Sequence, residues 1–178
     1  MVRKLKKDFI QPILVLVLIC LFISGLLAFG NNVTEPIIVS AATERAELAR
    51  KEIIPDADEF INIETDGLPK TVTEAYGTAN GTGYVFMITS PGGYGGDIKL
   101  ICGISQDGKI IGSTVLEHSE TQGLGTVVFD NTAAYVGTDK TLAASVDAIS
   151  GATYTSKAFK NGIMDALEAY DIVKGAQS

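Results

Sequence analysis

Hydrophobic and polar residues alternate along this chain in three different ways. From Ile13 to Phe29 the sequence is almost wholly Leu, Ile, Val, Phe and Ala, and no charged residue occurs between Asp8 and Glu35. At about 1.5 Å per residue, such a run crosses a hydrocarbon core of roughly 30 Å, so a transmembrane helix is predicted over 9–30. Further on, Phe60–Glu64, Lys70–Ala75, Gly83–Thr89, Ile98–Ser105 and Lys109–Leu116 form short apolar-rich runs. Asp66-Gly67, Asn80-Gly81 and Gln106-Asp107-Gly108 punctuate them as turn signals, which predicts strands and hairpins. Toward the C-terminus, Phe159, Ile163, Ala166, Leu167, Tyr170 and Val173 recur with the 3.6-residue period of one buried helical face.

The segment joining the first two regimes reads as a short linker at Pro36–Ser40 and a helix from Ala41 to Ile54 that Pro55 ends. Ala42, Ala46, Ala49 and Ile53 give that helix a weak apolar stripe among charged residues. The fold class predicted is therefore α+β: a single N-terminal transmembrane helix followed by one largely antiparallel sheet domain with flanking helices. About 148 residues remain after roughly 30 are assigned to the membrane segment, enough for one domain with one core.

Charge gives the orientation. Arg3, Lys4, Lys6 and Lys7 precede the apolar run, whereas Glu35 is the first charge after it. The positive-inside rule then assigns 1–8 as a cytoplasmic basic tail, 9–30 as the membrane helix, 31–55 as linker and connecting helix, and 56–178 as an extracytoplasmic domain at the inner or plasma membrane. A cleaved signal peptide shares the basic start, but cleavage after Ala28 would put Leu26 where a small residue is usual. A lipoprotein signal ending at Cys20 has bulky Ile19 in the corresponding place. The chain carries −7 from 14 basic and 21 acidic residues, and the exported part has 10 against 20, about −10, which disfavours nucleic acid as a partner. Cys20 lies in the membrane segment and Cys102 in a predicted strand, so no disulfide joins them and neither has a metal-ligand spacing; both read as inert buried thiols.

Three loop segments carry candidate chemistry. Ser150-Gly151-Ala152-Thr153-Tyr154-Thr155 precedes the periodic C-terminal helix. Helix N-termini leave backbone N–H groups unpaired and carry the positive end of the macrodipole, so a phosphate is favoured there. The plainer alternative makes Thr155 or Ser156 an N-cap and Gly151 a turn residue. Pro91-Gly92-Gly93-Tyr94-Gly95-Gly96 joins two strands, and Glu117-His118-Ser119-Glu120-Thr121-Gln122-Gly123-Leu124-Gly125 follows another. Glycines at 95, 96, 123 and 125 let backbone N–H groups approach a ligand, Tyr94 or Leu124 would cover a flat ring, and Thr121 would bond a heteroatom. The alternative is two tight loops in a sheet protein. His118 beside Glu117 and Glu120 reads as a surface or hydrogen-bonding residue, with a redox-linked role left open.

The string Asp147 to Ala158 resembles the flavinylation motif of the RnfG and NqrC family, the FMN-carrying subunits of ion-translocating respiratory complexes. Pro91 to Gly96, with Gly93-Tyr94-Gly95-Gly96 at its end, is similar to the family's G-Y-G-G element, and Glu117 to Gly125 to its E-T-x-G-L-G loop, with Gln122 where proline is more usual. The resemblance implies that FMN is held through a phosphoester on Thr155. Ser150, Gly151, Ala152, Thr153, Tyr94, Gly95, Glu120, Thr121, Gly123, Leu124 and Gly125 would make the rest of the cofactor site, with no catalytic residue and no metal. It further implies an electron-carrying redox subunit of an Rnf-type ferredoxin:NAD oxidoreductase, without independent substrate turnover. Its partners would be the other integral and peripheral subunits, and an ApbE-type flavin transferase using FAD and magnesium to mature it. An NqrC-like subunit of a sodium-translocating NADH:quinone reductase, a stand-alone membrane-anchored flavoprotein, and an anchored binding module without flavin are the competing readings. On the membrane reading, the intact mass of the purified membrane protein retains residues 13–29; a mature N-terminus near Phe29 contradicts it.

Overall fold

The computed structural model describes residues 2–176, with side chains from Ile10 onward; the basic flank Arg3 to Lys7 and Asp8 lies outside the residues whose side chains are described. Its first element is one continuous helix, α1, spanning Val2–Ile53. The chain divides into two compact units, Met1–Glu44 and Arg45–Ser178. Within the first, the stretch from Ile10 is long and apolar enough to cross a membrane, and its Leu, Ile, Val and Phe side chains are exposed. Cys20, expected to be buried, is exposed on the same stretch.

The linker expected at Pro36–Ser40 is instead helical. Proline removes one backbone donor from a helix, and the neighbouring hydroxyls do not compete with the rest of the ladder. Thr34 Oγ1 donates to the Gly30 carbonyl at 3.0 Å, Ser40 Oγ to Ile37 at 2.9 Å and Thr43 Oγ1 to Val39 at 3.0 Å. All three side chains bond back into the helix they sit on.

In the second unit, β1 (Phe60–Ile63), β2 (Val72–Thr78), β3 (Gly83–Ser90), β4 (Ile98–Ser105) and β5 (Ile110–Glu117) form an antiparallel meander in sequence order. The turn glycines take the left-handed conformation that the hairpins require, with φ of +86° at Gly67, +70° at Gly81 and +75° at Gly108. β2 begins later than the sequence predicts, because Val72 N–H closes a turn on the Pro69 carbonyl at 2.9 Å and so takes Lys70 and Thr71 out of the strand.

Alternation along the strands sorts residues between two faces. Tyr84, Phe86 and Ile88 of β3 and Leu100, Cys102 and Ile104 of β4 pack under the C-terminal helix, α3 (Thr153–Ala176), against its Phe159, Ile163, Ala166 and Leu167. Val85 and Ile101 face the other way, onto Ala49, Ile53 and Ile54 at the end of α1. The connecting helix therefore contributes core residues to this unit. Gly103 permits that approach, since a Cβ there would strike Ile53 Cγ2. Between β5 and α3 run two elements the periodicity does not reveal, a kinked 3₁₀ segment (Thr126–Tyr135) and α2 (Lys140–Ser145), the latter capped by Asp139 accepting from Leu142 N–H at 2.9 Å.

Cys102 is fully buried on the α3 side of β4, and burial pushes its thiol up to about 12. It stays protonated through the neutral range. Iodoacetamide at pH 8 is expected to leave Cys102 unmodified in the native protein and to alkylate it after unfolding, as read by peptide mass.

Candidate functional site

Gly151, at φ +85°, turns the chain into α3, and the Ala152 carbonyl accepts the first helical bond from Ser156 N–H at 2.8 Å. Thr155 is thus inside the first turn and not at the cap, which corrects the plainer reading of this segment. Ser156 Oγ accepts from Ile149 N–H at 3.1 Å and ties the preceding loop to the helix. The N–H groups of Thr153, Tyr154 and Thr155 have no carbonyl one turn back within α3, so this end retains its positive partial charge.

The three sequence elements meet at one carboxylate. Thr155, only 1% exposed, donates from Oγ1 to Glu120 Oε2 at 2.8 Å. Glu120, 8% exposed, accepts at Oε1 from Gly95 N–H at 3.1 Å. Its own backbone N–H donates to His118 Nδ1 at 3.2 Å. Glycines make this possible by leaving out atoms. A Cβ at Gly93 would collide with Glu120 Oε1 and one at Gly95 with the Ser119 carbonyl. A Cβ at Gly125 would come within 2.6 Å of Glu120 Oε2 and 3.2 Å of Thr155 Oγ1. Gly125 has ordinary helical dihedrals (φ −71°, ψ −37°), so its need is for space alone.

Above this floor opens a cavity of about 290 Å³, walled by Tyr94, Glu120, Thr121, Leu124 and Gly125 on one side and Gly151, Ala152, Thr153, Tyr154 and Thr155 on the other. Most of the residues expected at the site from sequence are gathered here. Three stand outside the wall. Ser150 is exposed in the preceding turn, Gly95 lies behind Glu120 as its donor, and Gly123 (φ +74°) makes a turn whose N–H donates to Thr126 Oγ1 at 2.9 Å. Tyr154 joins the wall unannounced by the sequence reading, although it sits inside the attachment motif between two residues expected there. His118 is exposed, packs its ring 4.8 Å from Phe129, and supports the Glu120 backbone without entering the cavity wall.

The rim and the floor differ in chemistry. Tyr94, Tyr154 and Leu124 are 74%, 69% and 51% exposed, large apolar side chains held in water around the mouth. Flat aromatic ligands are bound by such surfaces. The floor offers a hydroxyl and helix N–H groups, which suit a phosphate, beside the Glu120 carboxylate. A flat ring at the rim with a phosphate at the helix start is the outline of FMN. The fold and site define an FMN-binding domain.

Comparison with known proteins agrees. Residues 93–168, from the glycine turn into α3, match the FMN-binding domain family. The chain is 30% identical over 187 residues to the G subunit of the ion-translocating oxidoreductase complex of Methanosarcina acetivorans, covering 95% of this chain and 98% of that protein. It is 29% identical over 171 residues to the G subunit of the Na(+)-translocating ferredoxin:NAD(+) oxidoreductase complex of Acetobacterium woodii, covering 81% of this chain and 83% of that one. It is 28% identical over 168 residues to the G subunit of the proton-translocating ferredoxin:NAD(+) oxidoreductase complex of Clostridium ljungdahlii, covering 88% and 89%. The chain belongs to the RnfG family, the G subunits of ion-translocating oxidoreductase complexes; it is a redox flavoprotein subunit whose cofactor is FMN, and its partners are other subunits of such a complex.

Gly125→Ala tests the floor. The added methyl displaces Glu120 or Thr155 without changing backbone preference, so stability falls by about 1–3 kcal/mol despite the gain that Gly→Ala gives in the unfolded chain. Chemical denaturation followed by circular dichroism measures it.

Proposed function

We propose that Thr155 carries FMN as a phosphoester and that the chain relays electrons through it within an Rnf-type ferredoxin:NAD oxidoreductase. The observation that carries this reading is the placement of the Thr155 hydroxyl: in the first turn of α3, on the floor of a cavity, under a rim of exposed aromatic and aliphatic side chains. When bound, FMN supplies reversible one- and two-electron chemistry. Tyr94, Tyr154 and Leu124 shield the ring faces, and the α3 N–H groups and Thr121 hold polar edges.

A covalent bond suits this geometry. The rim is open, and a cofactor held by it alone would be lost by dilution into the space outside the membrane. An ester to Thr155 removes that loss and keeps the ring within reach of neighbouring redox centres. The anchor supports a single-pass topology with the basic N-terminal residues in the cytoplasm and the domain outside. Residues 56–178 then form the extracytoplasmic FMN-binding domain, and an ApbE-type transferase matures it there.

Thr155→Val keeps the shape of the side chain and removes its hydroxyl. It is expected to abolish flavin fluorescence of the protein band on a denaturing gel, whereas Thr153→Val retains it. Against wild-type protein without flavin, the stability cost of Thr155→Val is about 1.5–3 kcal/mol, that of a buried hydrogen bond to a charged group. Peptide mapping of the wild type should place the flavin on Thr155. A flavin on Thr153 or Ser156, or none in protein purified from its own host, contradicts the proposal.

A further inference from the structure

We propose that Glu120 is the base that activates Thr155 for flavin attachment, and that it thereby selects this hydroxyl from its neighbours. The inference rests on the reading of Thr155 as the FMN carrier and concerns how that residue is chosen. Around it the chain offers Ser150, Thr153, Tyr154 and Ser156 as further hydroxyls. If access decided the site of modification, Thr153 or Tyr154 would be used, since both are exposed and both border the cavity, while Thr155 is 1% exposed. Chemistry distinguishes Thr155 instead. A neutral alcohol is a weak nucleophile and needs a base within hydrogen-bond reach, and Thr155 Oγ1 lies 2.8 Å from Glu120 Oε2. Ser156 Oγ, by contrast, faces the Ile149 N–H, a donor that draws electron density away from it.

The carboxylate is held for this task. Gly95 N–H fixes Oε1, His118 Nδ1 fixes the backbone, and Gly93 and Gly125 enclose the side chain with no room for a Cβ of their own. Gly125 has ordinary helical dihedrals, and a Cβ there would meet Glu120 Oε2 at 2.6 Å, Glu120 Cβ at 2.9 Å and Thr155 Oγ1 at 3.2 Å, so its missing side chain leaves the pair its space. Such fixing from several sides is what keeps a reacting pair in productive geometry.

The step balances without an oxidant. Thr155 Oγ attacks the FMN phosphorus of FAD, forming a new P–O bond, and its proton passes to Glu120. The bond from that phosphorus to the bridging pyrophosphate oxygen breaks, and AMP leaves with the electron pair.

The test uses the full-length protein in detergent with an ApbE-type transferase, FAD and magnesium, and measures initial attachment rates against carrier concentration. Glu120→Gln should lower kcat by about 100-fold or more, the usual contribution of a general base, while KM for the carrier stays at its wild-type value. Glu120→Asp, which keeps the carboxylate but sets it back by one methylene, should fall between the two. Wild-type kcat in the glutamine variant, a loss confined to KM, or an aspartate variant as slow as the glutamine one would each overturn the inference and make Glu120 a structural residue only. If the glutamine variant does not fold, Glu120→Asp decides alone: a lower kcat at unchanged KM supports the inference, and an unchanged kcat overturns it. Failure of the underlying reading is separate, since wild-type protein would then take no flavin on Thr155 at all.

Discussion

The hydrogen bond from the Thr155 hydroxyl to the Glu120 carboxylate, 2.8 Å long and buried, joins the start of the C-terminal helix to a loop 35 residues earlier in the chain. Through Glu120 Oε1 the same carboxylate reaches the β3–β4 turn at Gly95. A buried carboxylate is costly unless its oxygens are paired, so in the protein before flavin attachment the loop, the turn and the helix start must arrive together or the arrangement is lost. Every glycine that crowds Glu120 serves that condition, Gly93 and Gly95 from one loop and Gly125 from the other.

The position of Thr155 depends in turn on how α3 lies on the sheet. Gly162 lets the helix settle closely, since a Cβ there would come within 2.6 Å of Leu100 Cδ2 and 3.2 Å of Ser90 Cβ. Ser90 Oγ donates to the Ala158 carbonyl at 2.6 Å from the strand below. At the far end Tyr170 Oη donates to the Gln106 carbonyl at 2.6 Å, fastening the helix to the β4–β5 hairpin. The helix is held at both ends and along its length, and its first turn presents Thr155 at a fixed height above the sheet. Side chains that hold the cavity in place are thus spread over the whole helix–sheet contact, while the cavity itself lies at one end.

Much of this was legible in the sequence because period and punctuation are local. The α3 stripe, the Gln106-Asp107-Gly108 hairpin and the five strands follow from side-chain spacing and left-handed glycines, and the structure has each of them. Membership of the flavin family came from short motifs in the right order, and the cavity gathers residues from all three. What the sequence withheld depends on long-range contact. Nothing local indicates that Glu120 turns inward to meet a residue 35 positions away, and the hydroxyls before the helix left an N-cap open as an alternative where the structure has a buried donor. The Pro36 linker failed for a similar reason, since proline disfavours a helix without forbidding one whose other bonds are intact. The 3₁₀ segment buries only Val128 and Tyr135, too few apolar positions to give a period.

The central claim is a phosphoester between FMN and the buried Thr155, and phosphorus NMR on the flavin peptide isolated by proteolysis tests it most directly. An ester to Thr155 makes the FMN phosphate a diester, whose single acidic proton is already lost at neutral pH. Its resonance should hold still as pH is varied across about 6, where the second ionisation of a phosphate monoester falls. A resonance that moves through that range, or a peptide containing Thr155 with no phosphorus signal, would contradict the account.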